Sequence, residues 1–199
     1  LYLYRLLANR PENALGITLA RQDADYPVDA QLKAALVQPL EALSEWATDR
    51  PSLQALCQQF GELAQAGTQR LLPGPTGERN TWTLLPRERV LCIADDELDA
   101  LVQVAAVASV GSLILWPDDT FHRDLAKRLP AAVSGRIQFA KADNITTQPF
   151  DAVIFHGDSD QLRSLCEAVA AREGAIVSVQ GFARGESNIL LENYRLLCQ

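Results

Sequence analysis

Methionine is absent from the 199 residues, histidine occurs only twice, and Phe, Trp and Tyr together make up 7% of the chain. Two histidines leave little room for imidazole acid–base chemistry or for a histidine-rich metal site. Basic residues are also scarce: 18 Lys and Arg face 25 Asp and Glu, for a formal net charge of −7. That balance argues against a nucleic-acid backbone as partner, because such affinity rests on many cationic contacts that release counterions. No apolar run approaches the roughly 20 residues that span a bilayer, and no secretory signal pattern opens the chain. A cytoplasmic or peripherally membrane-associated protein is the expectation. The four cysteines, Cys57, Cys92, Cys166 and Cys198, form no C-x-x-C or Cys/His ligand spacing, so no metal centre is expected. Cys92 and Cys166 lie in apolar periodic surroundings and read as small buried hydrophobes in a reducing compartment. The chain opens at Leu1 rather than Met, which suggests a piece of a longer polypeptide.

What is present is an ordinary globular composition, 48% hydrophobic and 22% charged, long enough for one domain and an accessory piece. Over residues 28–47, Val28, Leu32, Leu36, Leu40, Leu43 and Ala47 recur at helical spacing, with Pro39 inside the pattern. Proline removes a backbone hydrogen bond and clashes with the carbonyl of Ala35, so a kink or two shorter helices are expected there. A second helix is expected from Pro51 through Leu53, Leu56, Cys57, Phe60 and Leu63 to a stop at Gly67. In residues 71–89, Pro73, Gly74, Pro75 and Gly77 mark a turn, and Thr81, Trp82, Thr83 and Leu84 favour an extended arm.

From Val90 onward short apolar runs alternate with helical patterns. VLCIA (90–94), LILW (113–116), RIQFA (136–140), DAVIFH (151–156) and AIVSV (175–179) are the predicted strands. Between them, Leu98, Leu101, Val102, Ala105 and Ala108 predict one helix face ending near Gly111. Phe121, Leu125 and Leu129 predict a short helix closed by Pro130, and Leu162, Leu165, Cys166 and Val169 predict another starting at Asp158. The link from Ala140 to Phe150 is too short for a crossover of normal size and is expected either to carry one helical turn or to leave the sheet locally irregular. The pattern is that of an α/β fold with a parallel sheet covered on both faces.

In such a sheet ligands bind beyond the carboxyl ends of the strands. The residues there are acidic: Asp95, Asp96 and Glu97 after the first strand, and Asp118 and Asp119 after Trp116-Pro117 in the second. Phe155-His156-Gly157-Asp158-Ser159-Asp160 after the fourth strand has the strand, glycine and helix start of a phosphate site, again with carboxylates. A carboxylate at a helix N-terminus occupies the partial positive charge that a phosphate would use. At an effective dielectric of about 20, a unit charge about 4 Å from a phosphate charge costs on the order of 4 kcal/mol. His156 lacks a neighbouring nucleophile elbow and is assigned no reaction.

The run LLPGPTGERNTWTLLPRERVLCIADDE, flanked by DADYPVDAQLKAAL and FDAVIFHGDSDQLRSLCEAVAAREGAIVSVQGFARGESNILLE, resembles the C-terminal part of the PutA family. These are the multifunctional proline-utilisation flavoproteins of enteric bacteria. The resemblance implies a parent polypeptide that carries a DNA-binding transcription-repressor segment, an FAD-dependent proline dehydrogenase and an NAD-dependent L-glutamate γ-semialdehyde dehydrogenase. It also implies a parent that meets the membrane peripherally and forms homo-oligomers. The C-terminal domain of such proteins resembles the NAD-binding half of an aldehyde dehydrogenase, a Rossmann-like parallel sheet, here preceded by a helical hairpin and a β-arm.

By that resemblance residues 1–24 are the tail of a catalytic aldehyde dehydrogenase module and a linker, with Leu1-Tyr-Leu-Tyr-Arg-Leu-Leu7 its last residues. Residues 25–67 are the hairpin, 68–89 the β-arm, 90–192 the Rossmann-like domain and 193–199 an atypical end. The catalytic cysteine and glutamate of the superfamily would lie outside the chain. Aldehyde dehydrogenases typically place Lys-Pro-Ala/Ser-Glu where this chain has Trp116-Pro117-Asp118-Asp119, and Phe-Thr-Gly-Ser-Thr where it has Phe155-His156-Gly157-Asp158-Ser159. Their general-base glutamate has no counterpart around Ser178-Val179-Gln180-Gly181. The cofactor positions Trp116, Asp119, His156, Gly157 and Asp158 are thus degenerate. The expectation is a segment without catalytic, cofactor or metal residues that covers or stabilises the upstream dehydrogenase site and its channel. A retained NAD site, or a protein- or membrane-docking module, are the alternatives.

Overall fold

The computed structural model describes residues 30–64, 66–67, 69–72, 77–187 and 189. The expectations for residues 1–24 and 193–199, and for the Pro73-Gly74-Pro75 turn, lie outside them. Two helices, α1 (Ala30–Trp46) and α2 (Pro51–Leu63), form an antiparallel pair, followed by an antiparallel ribbon of β1 (Gln69–Leu72) and β2 (Asn80–Thr83). Then come β3 (Arg89–Ile93), α3 (Glu97–Val110), β4 (Leu113–Pro117), α4 (Thr120–Arg128), α5 (Ala131–Ser134) and β5 (Ile137–Ala140). A 3-10 helix (Ala142–Thr147) leads to β6 (Ala152–His156), α6 (Ser159–Ala170) and β7 (Ser178–Phe182). The five strands pair in parallel in the order β5-β4-β3-β6-β7, the α/β architecture expected from the alternating pattern.

Helix α3 is the centre of the packing. Every residue from Asp99 to Val110 is buried. One side meets the sheet through Val90, Cys92, Ile114 and Ile154; the other is covered by α1 and α2 through Leu40, Leu43, Leu53 and Phe60. A helix that is apolar all round needs such cover on every side, and the hairpin supplies the half that the sheet does not. The sheet's second face buries Leu91, Leu115 and Val153 under Ile145, Phe150 and Val169. Gly111 ends α3 with φ 79°, and a Cβ there would stand 2.6 Å from Leu36 Cδ2, so the left-handed cap also lets α1 approach.

The structure corrects five expectations. Pro39 does not divide its helix: α1 runs unbroken from Ala30 to Trp46. Leu36, Leu40 and Leu43, on both sides of the proline, are buried together, and this packing offsets the roughly 3 kcal/mol cost of an internal proline. Helix α2 stops at Leu63, where Ala64 turns extended with ψ 124°, before Gly67. Leu98 is not on the buried face but 53% exposed: it sits in the first turn of α3, where an open concavity separates it from the start of α2. The last strand is displaced from 175–179 to 178–182; Ile176 is fully exposed, so apolarity misled where register with β6 decided. Cys166 is exposed rather than buried, since α6 turns only Leu162, Leu165 and Val169 inward at the rim of the sheet.

If the hairpin completes the core of α3, truncating Leu43, which has no exposed surface, should cost about 2–5 kcal/mol. Urea unfolding of Leu43→Ala should show that loss of stability with an unchanged denaturant slope.

Candidate functional site

The chain leaves β3 through α3 toward β4 on one side and returns to β6 on the other, so the topological switch point lies between β3 and β6. The crevice beyond their carboxyl ends is the candidate nucleotide site. Asp96 caps α3, accepting from Leu98 N at 2.8 Å and Asp99 N at 3.4 Å. Asp119 caps α4, accepting from His122 N at 2.8 Å. Asp158 caps α6, accepting from Asp160 N at 3.0 Å and Gln161 N at 2.8 Å, and Gln161 Oε1 accepts in return from Asp158 N. Each helix start that points at the crevice side of the sheet therefore carries its own carboxylate.

The other acids are also engaged. Asp95 receives a two-pronged contact from Arg184, at 3.2 Å from Nε and 2.6 Å from Nη2. Glu97 joins Arg128, at 2.7 and 3.1 Å, to Arg50 at 3.0 Å, and the Arg128 hydrogen bond leads in holding its carboxyl below the ordinary value. Asp118 is held low chiefly by its hydrogen bonds from Arg123, whose guanidinium lies over Phe139.

The residues matched to cofactor positions have structural surroundings. Trp116 is fully buried against His122, 5.1 Å between ring centroids, and Phe139, 6.5 Å; it faces the core, not the crevice. Asp119 also accepts from His122 Nδ1 at 2.8 Å. His156 is buried with both ring nitrogens engaged: Gln103 Nε2 lies 2.8 Å from Nδ1, and the Glu186 carbonyl lies 2.8 Å from Nε2. Because Gln103 Nε2 also donates to the Ile93 carbonyl at 2.8 Å, it faces Nδ1 as a donor, which places the imidazole proton on Nε2. Gly157 needs no phosphate to explain it, for a Cβ would stand 2.4 Å from the Phe155 ring.

Four further residues shape the crevice. After β7 the chain turns at Ala183-Arg184-Gly185-Glu186, with φ 78° at Gly185, and crosses the ends of β3 and β6. Arg184 reaches Asp95, Gly185 N donates to buried Asp99 at 2.9 Å, and the Glu186 carbonyl meets His156. Gln103 supports His156 from beneath. Sequence reasoning missed Asp99, Gln103, Arg184 and Glu186, because they meet only across |i−j| of 86 and 89, or 30 and 53. The one signal was a polar Asp99 and Gln103 inside an otherwise apolar helix.

Among the described residues no group of three or more His, Cys, Asp or Glu could hold a metal ion, and no helix is long and apolar enough to cross a membrane. Burial pushes the Cys57 thiol up to about 11 and raises that of Cys92 further, which leaves both inert at neutral pH. An open concavity of about 550 Å³ lies between α1 and α2, away from the crevice, and another of about 450 Å³ lies between α2 and the first turn of α3, where Asp96 and Glu97 line it.

No protein-family model matches the chain. Over 192 residues it is 83% identical to the bifunctional protein PutA of Escherichia coli (strain K12), which covers 96% of this chain and 14% of that protein. The chain thus spans about a seventh of the length of the curated relatives it matches. Among solved structures, a proline utilization A (PutA) mutant of Bradyrhizobium japonicum superposes with a TM-score of 0.58 at 22% identity, covering 83% of this chain and 21% of that one. Staphylococcus aureus AldH superposes with a TM-score of 0.54 at 12% identity, covering 77% and 42%. At these identities the structural matches speak for the fold alone, and they bear out the aldehyde-dehydrogenase-like sheet.

Glu97 offers a direct check on the site's electrostatics. Its carboxyl is depressed in the folded state, so its stabilising contribution is present above the unfolded value of 4.5 and is lost as pH falls through the lower folded value. A carboxyl-detected NMR titration should place the Glu97 midpoint below 4.5. Arg128→Ala should move it upward more than Arg50→Ala does.

Proposed function

The chain belongs to the PutA family as a segment of its C-terminal region, and on that premise we propose that it is a non-catalytic module that covers or stabilises the dehydrogenase part of a proline-oxidising polypeptide. The whole polypeptide, on this reading, converts proline to glutamate. An FAD-dependent proline dehydrogenase acts first and an NAD-dependent L-glutamate γ-semialdehyde dehydrogenase second, both outside these residues. DNA binding, peripheral membrane contact and self-association are likewise proposed for the parent and not for this segment. Within the chain, 25–67 and 68–89 act as covering and projecting elements around the Rossmann-like unit of 90–192.

One observation supports the segment's own role above the others: the crevice at the β3–β6 switch point is crossed by residues 183–186, which bond to Asp95, Asp99 and His156, while the three helix starts around the sheet's carboxyl edge are capped by Asp96, Asp119 and Asp158. A dinucleotide needs backbone amides free to meet its pyrophosphate. Here those amides meet the protein's own acids. No described side chain combines a nucleophile with a base: His156 is committed on both nitrogens, and Cys57 and Cys92 are buried thiols. What remains useful is shape, a complete α/β unit that can pack on another of its kind.

Deleting residues 25–199 from the intact polypeptide tests the reading. Proline oxidation by a dye-linked assay should persist, while coupled conversion of proline to glutamate with NAD should fall at least tenfold. Unchanged coupled activity in the deletion would remove the proposed role.

A further inference from the structure

Residues 183–186 tie several elements together, because each of their contacts reaches a different one. Arg184 grips Asp95 at the end of β3, Gly185 N–H donates to Asp99 on α3, and the Glu186 carbonyl accepts from His156 at the end of β6. The turn is closed on itself by Glu186 N to the Ala183 carbonyl at 3.1 Å and by Ala183 N to Glu186 Oε2 at 3.0 Å. Its base is the last residue of β7: Phe182 stacks on His156 with ring centroids 5.3 Å apart and an interplanar angle of 26°, and the Phe182 carbonyl accepts from Gly157 N at 3.1 Å. Asp99 is 1% exposed, and Gly185 N–H is the one hydrogen bond its carboxylate receives among the described residues.

We infer that residues 183–186 are an intramolecular plug of the switch-point crevice, latched by Asp99 and His156, and that the plug and the edge strand β7 open as one unit. The reason is the buried carboxylate. Lifting Gly185 away leaves Asp99 without its donor, so the plug stays closed unless water reaches that position. Water reaches it only when the segment leaves His156 as well, which removes the Phe182 stack and frees the end of β7. β7 pairs only with β6 among the described strands, so it has no outer neighbour to hold it in register. The contacts that bar the crevice to a ligand are therefore the contacts that keep the sheet's edge in place. Arg184 contributes less, since it and Asp95 are both more than half exposed.

The inference goes beyond the non-catalytic role and does not depend on it. Native-state hydrogen exchange on the full-length protein reads it directly. In the wild type, the Gly185 amide and the β7 amides bonded to β6 should be protected and should follow one common dependence on denaturant. Asp99→Ala should raise exchange at Gly185 and in β7 together by roughly 10- to 100-fold, the range for losing a hydrogen bond to a charged group. Asp99→Asn, which keeps the acceptor, should restore most of the protection. Should Asp99→Ala fail to fold, Arg184→Ala, confined to the surface, should produce a smaller rise in the same two segments. An unprotected Gly185 amide in the wild type, or a rise at Gly185 with β7 unchanged, would overturn the inference.

Discussion

The positive end of a helix can be neutralised only once. In an α/β sheet that binds dinucleotides, the neutralising anion is the ligand's pyrophosphate, drawn to free amides at a helix start. In this protein Asp96, Asp119 and Asp158 take that place at α3, α4 and α6. The rest of the architecture follows from helices that are satisfied internally. They need no ligand to be stable, and the crevice between them is free to accept a segment of the same chain.

That segment arrives from β7 with an arginine in front. Arg184 lies against Asp95, and the other carboxylates near it, Asp158 and Asp99, hold its charge as well. The sign of the crevice is thus the reverse of what a phosphate requires, and its occupant is cationic. Burial beneath the plug is completed by a polar floor, Gln103 and His156, in which the imidazole takes a donor on one side and gives its proton to Glu186 on the other. A histidine in this position looks catalytic by its place in the fold, yet both of its ring nitrogens are taken by the protein's own groups.

Much of this is legible in the sequence. The parallel sheet followed from short apolar runs separated by helical spacing, and the acidic residues after three strands already spoke against a phosphate. The glycine at 157 was legible as a position but not as a reason, because its tight approach to Phe155 depends on a ring whose direction the sequence does not state. The plug was not legible, since an arginine and a glycine after a strand carry no signal until the topology brings them to Asp95 and Asp99. β7 was misplaced for a related reason. Ile176 and Val177 have strand propensity, but pairing with Ala152–His156 selects Ser178–Phe182, and propensity yields to register at an edge. The helical hairpin was legible as two amphipathic helices, and its role as the outer cover of α3 emerged only from the burial of every side of that helix.

The shape of a nucleotide-binding domain without the use of one is the central claim, and isothermal calorimetry with NAD is its most direct test. Titrated into the full-length protein with the NAD site proposed for its upstream dehydrogenase disabled, and into the same protein lacking residues 25–199, millimolar NAD should give the same heat, that of dilution alone. A saturable heat present only when these residues are present would contradict the account.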